Sequence, residues 1–257
     1  MIMRSYADVI NHIEAALSQS ERLQIFRRRK IEIADGTHTL YCLRYIPSIP
    51  NAPLIYLSAG THGDEPASVA CALRLINKLT DKDSRFTQYA WLISPCDNPF
   101  GYEWDVRENE AGVDLNQTFG NPDRFPQTSF VIESLKGAHV DMAVDMHEDC
   151  DSNGFYLWER RASSRVPIGH RIIERVRKIC AINCDLEIEG HPNDNGVITL
   201  LDTVGSKGWT RGRYLAESIG SCCLILETPT RFSFETRVKI HLEAIGTVLD
   251  NLKPEAS

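Results

Sequence analysis

The sequence predicts a mixed α/β protein in which a mainly parallel sheet lies between helices. Apolar segments of strand and helix character alternate along all 257 residues, without an internal repeat or a low-complexity linker. This alternation is typical of a parallel sheet whose two faces are covered by helices. Polar clusters directly follow three of the buried strands, and functional groups gather at this carboxyl edge of such sheets.

The first 94 residues of the chain have the more regular pattern. Apolar residues at helical spacing predict an N-terminal helix, and Asp35-Gly36 predicts a hairpin turn between two strands. Pro66 is suited to the first position of the second helix. In chain order we expect helix 5–18, strands 23–33, 38–46 and 53–60, helix 66–79 and strand 90–94.

Two irregular regions, at 96–127 and 189–207, interrupt the pattern beyond residue 94. Loops of this length inside a compact domain are usually functional. Around them we expect helix 130–135, strands 140–146 and 155–158, helices 168–179 and 209–219, strand 221–226 and a terminal helix 234–252. We expect a single domain over residues 1–257.

Composition excludes several classes of protein. The net charge of −7 argues against nucleic-acid binding, and the basic run Arg27-Arg28-Arg29-Lys30 fits the solvated face of a strand. No uncharged run approaches the ~20 residues of a membrane span, and residues 1–20 lack the apolar stretch of a signal peptide. We therefore expect a cytoplasmic protein without nucleic-acid or membrane partners. The eight cysteines, several within apolar runs, are expected to be buried free thiols.

Histidine and glutamate residues follow three predicted strands. His62 and Glu65 lie in a tight turn before the second helix, while His147 and Glu227 each end a later strand. Two histidines and a glutamate with an open position for water form the ligand pattern of catalytic zinc. A further glutamate could take a proton from water and pass it to a leaving group. Each cluster alone also fits a helix start, a strand end or an ion pair, but their joint occurrence favours a metal site.

The segment between these clusters carries further motifs: Asn98-Pro-Phe-Gly-Tyr, then Arg107, then Gly112-Val-Asp-Leu-Asn116. With His-x-x-Glu before them and a histidine and a glutamate after them, the chain resembles the zinc carboxypeptidase (funnelin) family of metallopeptidases. The resemblance covers roughly residues 53–245 and indicates a short bacterial-type member without a pro-domain.

The resemblance implies a twisted, mixed and mainly parallel sheet of eight strands with helices on both faces. It also implies one Zn²⁺ bound by His62, Glu65 and His147, with Glu227 as general base and acid. Arg107 matches the arginine that polarises the scissile carbonyl and stabilises the oxyanion. Asn116 matches the asparagine that helps to hold the terminal carboxylate of the substrate.

Gln117 departs from the family pattern, which has an arginine here that clamps the C-terminal carboxylate. Glutamine donates hydrogen bonds but carries no charge, so the lost contact is worth about 2–3 kcal/mol. Either another cation replaces this arginine or the substrate lacks a free carboxylate at this position. The candidate cations are Arg124, Arg211 and Arg213, although the last two fit a solvated helix face better.

Other polar residues have weaker claims to a role. Glu148 and Asp149 could bridge a second metal ion, but a position in a solvated loop or a contact to a ligand histidine is favoured. Asp145 is expected on the same sheet face as His147, and the same two roles are open to it. Tyr214 lies too close to Glu227 to match the mobile tyrosine of the family. His191 and Asp194 formally fit a metal pair, but they lie in a predicted loop.

We therefore expect a zinc-dependent hydrolase of amide bonds, with a metallocarboxypeptidase acting on the C-terminal residue of peptides as the favoured reaction. Peptides derived from murein are a candidate substrate class because some short cytoplasmic relatives process them. One alternative is a deacylase of N-acyl amino acids like aspartoacylase and succinylglutamate desuccinylase, which typically carry an extra C-terminal β domain. A second alternative is a non-catalytic binding protein on a degenerate hydrolase scaffold.

Overall fold

A mixed eight-stranded sheet runs through the computed structural model of the chain, which describes residues 4–33, 36–160, 167–199, 209–218 and 222–252. Within these residues the helices are α1 (Tyr6–Gln19), α2 (Pro66–Thr80), α3 (Pro99–Trp104), α4 (Pro126–Leu135), α5 (Gly169–Val176), α6 (Arg211–Ser218) and α7 (Phe234–Asn251). The strands are β1 (Leu23–Ile33), β2 (Gly36–Tyr45), β3 (Leu54–Ser58), β4 (Ala90–Ser94), β5 (Met142–Asp149), β6 (Tyr156–Arg160), β7 (Glu187–Ile188), β8 (His191–Pro192), β9 (Val197–Thr199) and β10 (Cys222–Pro229).

The strand order of the large sheet is β1-β2-β4-β3-β5-β10-β6-β9. The four central strands β4, β3, β5 and β10 are parallel to one another. Antiparallel pairs occur between β1 and β2, between β2 and β4, and between β10 and β6, while β9 is parallel to β6. The short strands β7 and β8 form a separate hairpin. The predicted mixed, mainly parallel sheet is therefore confirmed.

Helices cover both faces of this sheet. On one face α1, α2, α5 and α7 pack against each other and enclose the larger apolar core, which includes Ile13, Leu75 and Ile245. On the other face α4 and α6 cover a smaller core around Phe130 and Leu215. Two layers of helices thus bury the sheet and leave the carboxyl edge of its parallel strands to carry the polar side chains.

The irregular regions contain more regular structure than the sequence predicted. Asn98 caps α3 by accepting a hydrogen bond from the backbone N–H of Gly101, and Pro99 occupies the first turn. Strand β5 continues three residues beyond the predicted end at Met146. The polar side chains of His147 and Glu148 in this extension are buried, so no hydrophobic pattern indicated it. The turn residues 34–35, residues 200–207 of the second irregular region, and residues 219 and 221 lie outside the described residues.

The cysteine prediction is partly wrong. All eight cysteines are free, but Cys150 and Cys184 are exposed and Cys180 is only half-buried. These three lie outside the regular strands and helices, where the apolar-run argument does not apply. No helix within the described ranges combines the length and the apolar character needed to cross a membrane.

Candidate metal centre and substrate pocket

Three neighbouring parallel strands bring the predicted site residues to one edge of the sheet. Strand β3 leads into the turn that carries His62 and Glu65, β5 carries His147 and β10 carries Glu227. His147 and Glu227 are direct partners in the parallel register of β5 and β10. The sequence could predict this meeting because parallel strands end at a common edge.

His62, Glu65 and His147 converge on one point in the interior. Their potential ligand atoms all lie within 4.8 Å of one another, and all three side chains are buried. Nδ1 of His62 lies 2.6 Å from Oε1 of Glu65, and Nδ1 of His147 lies 2.9 Å from Oε2 of the same carboxylate. The two Nδ1 atoms are 3.1 Å apart. The structure thus brings together the three residues that the sequence predicted as metal ligands.

The outer nitrogen of each imidazole contacts a further carboxylate. Nε2 of His62 lies 3.1 Å from Oδ1 of Asp114, and Nε2 of His147 lies 3.2 Å from Oδ2 of Asp145. A carboxylate behind an imidazole favours the tautomer with the proton on the contacted nitrogen. Both Nδ1 lone pairs are then directed to the shared centre, as metal ligation requires.

The electrostatics of the centre favour a bound cation. Burial alone would lower the pKa of His147, but the carboxylates of Asp145 and Glu65 outweigh it and raise this pKa. Likewise, burial would raise the pKa of Glu65, but the imidazoles of His147 and His62 lower it to about 2. The buried carboxylates therefore stabilise positive charge at the position between the two imidazoles. Two imidazoles and one carboxylate are a ligand set that suits Zn²⁺.

Glu227 and Arg107 border this centre. Glu227 is half-buried, and its burial together with the nearby carboxylate of Glu65 raises its pKa. The guanidinium of Arg107 lies 3.6 Å from Oε1 of Glu65 and donates two hydrogen bonds of 3.2 Å to Asp114. Both residues line the same pocket as the three predicted ligands.

The pocket has a volume of about 450 Å³ and contains the predicted substrate-binding residues Asn116 and Gln117. One wall consists of cross-strand pairs between β10 and β6, in which Glu227 faces Tyr156 and Ile225 faces Trp158. The wall therefore places the predicted base beside the clustered side chains of Tyr156, Trp158 and Ile225. Tyr156 and Trp158 were not predicted as pocket residues, although their alternation within strand β6 is a usable signal.

The three candidate cations have different positions. Arg213 lines the pocket, stacks on Trp209 at 4.7 Å and pairs with Glu217 at 3.0 Å. Arg124 is exposed and is not among the described residues that line the pocket. The favoured interpretation of Arg211 as part of a solvated helix face is wrong, because its side chain is 1% exposed and pairs with Asp97 and Asp145.

Glu148 does not join the metal centre. Strand alternation turns it to the opposite sheet face from His147, where it accepts a hydrogen bond from the backbone N–H of Ala67 and pairs with Arg237. Asp149 accepts hydrogen bonds from the backbone of Asp151 and from the hydroxyl of Tyr156. Glu148 is thus engaged away from the centre, whereas Asp149 lies with the exposed Cys150 and Asp151 in a separate group whose potential ligand atoms are within 4.8 Å of one another.

Two further residues lie away from the centre or contribute only to its wall. Tyr214 packs against Phe119 in the smaller core, consistent with the absence of a predicted role. His191 lines the pocket and stacks edge-on against Trp158 at 4.9 Å. Asp114 contacts Nε2 of His62, a role that the sequence did not predict although Asp114 lies within the Gly112-Val-Asp-Leu-Asn116 motif.

Comparisons with known proteins agree with this geometry. Residues 24–141 match the family profile described as zinc carboxypeptidase. No curated protein sequence matches the chain significantly. A solved structure of a candidate metallopeptidase from Shewanella amazonensis SB2B has a TM-score of 0.75 and 22% identity, covering 96% of this chain and 94% of that chain.

Two more solved structures are similar to this chain. A metallo-carboxypeptidase from Pseudomonas aeruginosa has a TM-score of 0.68 and 16% identity, covering 98% of this chain and 70% of that chain. The carboxypeptidase A from Helicoverpa armigera has a TM-score of 0.69 and 14% identity, covering 96% of this chain and 72% of that chain. At these identities the likeness shows the fold.

Proposed function

We propose that this chain is a member of the zinc carboxypeptidase family and a zinc-dependent carboxypeptidase that releases the C-terminal residue of peptides. The family match supports a metallopeptidase. One observation carries the proposal furthest: His62, Glu65 and His147 converge beside Glu227 in a pocket large enough for a terminal residue.

His62, Glu65 and His147 would hold the zinc ion. Zinc bound there would polarise the scissile carbonyl and lower the pKa of a water molecule. Asp114 and Asp145 keep the imidazoles oriented through Nε2. The half-buried position of Glu227 at the edge of the centre suits a general base that takes a proton from water and a general acid that then protonates the leaving amine.

Arg107 is our candidate for stabilising the oxyanion. Its guanidinium reaches to 3.6 Å from Glu65 and lines the pocket on the side of Asp114. A guanidinium aimed at a developing negative charge contributes most once a bound substrate excludes water from it. Its side chain is 44% exposed, so it can turn from Asp114 towards a bound substrate.

Recognition of the terminal carboxylate requires a cation in place of the arginine missing at Gln117. Of the three cations considered, Arg213 shares the pocket with Asn116 and Gln117, whereas Arg211 is held in a buried ion pair. We assign carboxylate binding to Arg213 together with the amides of Asn116 and Gln117. The presence of this cation in the pocket supports a substrate with a free C-terminal carboxylate.

Turnover of three matched substrate sets tests the proposal. The zinc-loaded protein is incubated with N-blocked dipeptides that end in a free carboxylate, with the same dipeptides as C-terminal amides, and with N-acyl amino acids. We expect release of the terminal amino acid from the first set. Cleavage of N-acyl amino acids alone would indicate the deacylase alternative, and binding of zinc without cleavage of any set would favour the non-catalytic alternative.

A further inference from the structure

Arg211, the first residue of α6, is buried beneath the metal centre with a side chain only 1% exposed. Its Nη2 lies 2.8 Å from Oδ2 of Asp97, and its Nη1 lies 3.5 Å from Oδ1 of Asp145. Burial would lower the pKa of Arg211, but the two carboxylates raise it, so the guanidinium stays charged. Arginine is almost never fully buried without such partners.

Asp145 connects this guanidinium to a predicted metal ligand. One carboxylate oxygen accepts a hydrogen bond from the hydroxyl of Ser58, and the other lies 3.2 Å from Nε2 of His147. A carboxylate behind a ligating imidazole fixes the orientation and the basicity of the ring. The orientation of His147 therefore depends on how firmly Asp145 is held.

The main chain of Arg211 connects to the substrate side of the pocket. Its backbone N–H donates a hydrogen bond of 3.1 Å to Oδ1 of Asn116. The backbone N–H of Phe119 donates to the carbonyl of Trp209, and the guanidinium of Arg211 lies 5.3 Å from the Phe119 ring centre. The start of α6 is thereby attached to the segment that carries the predicted substrate-binding amides.

We propose that Arg211 is a positioning residue: its guanidinium holds Asp145, and through it His147, while its backbone N–H holds Asn116 at the pocket. The inference rests on the metal site of the proposed function. If the ion pairs of Arg211 only stabilised the fold, weakening them would leave the metal affinity of the folded protein unchanged. A positioning residue would change metal affinity in a protein that remains folded.

The test is Arg211→Lys, which keeps the charge and the backbone N–H but loses the planar fork that reaches two carboxylates. Zn²⁺ affinity is measured by competition with a chromophoric chelator, and Co²⁺ replaces zinc for absorption spectra. We expect zinc binding to weaken about 10–100-fold, the magnitude typical of lost support for a ligating histidine. The visible Co²⁺ bands should shift. At saturating zinc, kcat should fall while KM changes by less than about threefold, since the contact to Asn116 remains.

Arg29→Lys is the matched control. Arg29 also pairs with a carboxylate, that of Glu133 at 2.7 Å, but it lies on β1 at the far edge of the sheet from β5 and β10. We expect its zinc affinity and its Co²⁺ spectrum to equal those of the wild type. A folded Arg211→Lys variant with wild-type zinc affinity and an unchanged Co²⁺ spectrum would overturn the inference.

Asp97→Asn is the second test of the positioning role of Arg211, used if Arg211→Lys does not fold. It removes one of the two charged partners of Arg211 without changing Asp145 or His147, and we expect zinc binding to weaken at least about threefold. Unchanged affinity in this folded variant would overturn the inference. Wild-type protein that binds no zinc would overturn the proposed function and this inference together, whereas wild-type binding with unaffected variants refutes the inference alone.

Discussion

His62 and His147 face each other through their Nδ1 atoms, which are 3.1 Å apart, while each Nε2 contacts a carboxylate. Two unprotonated Nδ1 atoms at this distance repel each other unless a cation lies between them. Glu65 contacts both Nδ1 atoms with its two carboxylate oxygens. This arrangement is the physical basis for the metal site, because it supplies three ligand atoms and the negative charge that a divalent ion neutralises.

The role of Glu227 is tested by Glu227→Gln. The amide preserves the size of the side chain but cannot take a proton, so we expect zinc content to stay at the wild-type level. Turnover should fall by about 10²–10⁴-fold, the usual contribution of general acid–base catalysis. Steady-state kinetics with a peptide substrate measure this loss. Near-normal activity in the zinc-loaded variant would remove Glu227 from the mechanism.

Carboxylate recognition is tested by Arg213→Gln. We expect KM for peptides with a free C-terminal carboxylate to rise about 10–100-fold, since a charge-assisted hydrogen bond is worth about 1.5–3 kcal/mol. The kcat should change little, and the preference over C-terminal amides should shrink. Arg124→Gln is the control, because Arg124 is exposed and is not among the described pocket residues. Equal kinetic constants for both variants would contradict the assignment.

The turn that carries His62 depends on the absence of a side chain at Gly63. A Cβ atom there would lie 1.8 Å from the carbonyl carbon of Gly101, within α3. Gly63→Ala should therefore displace the turn, lower the free energy of unfolding by about 1–3 kcal/mol and weaken zinc binding.

Gly137→Ala provides the comparison for Gly63→Ala. A Cβ atom at Gly137 would have no atom within 4 Å, but its φ of +76° makes alanine strained. We expect a loss of stability of about 1–2 kcal/mol without a change in zinc affinity. Calorimetry and zinc titration of both variants separate the two effects. Undisturbed zinc binding by Gly63→Ala would show that the close contact with α3 does not set the ligand geometry.

The pH dependence of stability should contain a contribution from His241 in α7. Burial lowers the pKa of this histidine to about 3, and its Nδ1 has no hydrogen-bond partner within the described residues. Between about pH 6.5 and this value the unfolded chain binds a proton that the folded protein excludes. Stability is therefore complete above about pH 6.5 and falls as the pH drops, by up to ~1.4 kcal/mol per pH unit from this group.

His241→Leu should remove that contribution. Urea denaturation of the metal-free wild type and variant at several values between pH 4 and pH 7.5 measures the free energy of unfolding. We expect the variant to lose less stability on acidification, by on the order of 1 kcal/mol per pH unit. Parallel curves for the two proteins would mean that His241 already accepts a proton in the folded state.

The sequence predicted the elements whose signals are local. The hydrophobic pattern and Pro66 predicted α2 to within one residue, and the largely apolar segments at β3 and β4 predicted both strands. It missed the last residues of β5, because burial of His147 and Glu148 depends on partners far along the chain. Buried polar side chains carry no hydrophobic period.

The same limit applies to the site. The convergence of His62, Glu65 and His147 follows from their position after parallel strands, so it could be anticipated. The burial of Arg211 could not, because a helix that begins with charged residues looks solvated until Asp97 and Asp145 are known to lie beneath it. Contacts between distant segments, rather than local pattern, determine such positions.

The zinc content of the purified protein, compared with that of His147→Ala, tests the central claim most directly. His147→Ala removes one of three ligand atoms, and elemental analysis after dialysis against zinc-free buffer measures what remains bound. We expect one zinc ion per wild-type chain and essentially none in the folded variant. A wild-type protein without zinc, or a variant that retains the full amount, would contradict a metal centre at His62, Glu65 and His147.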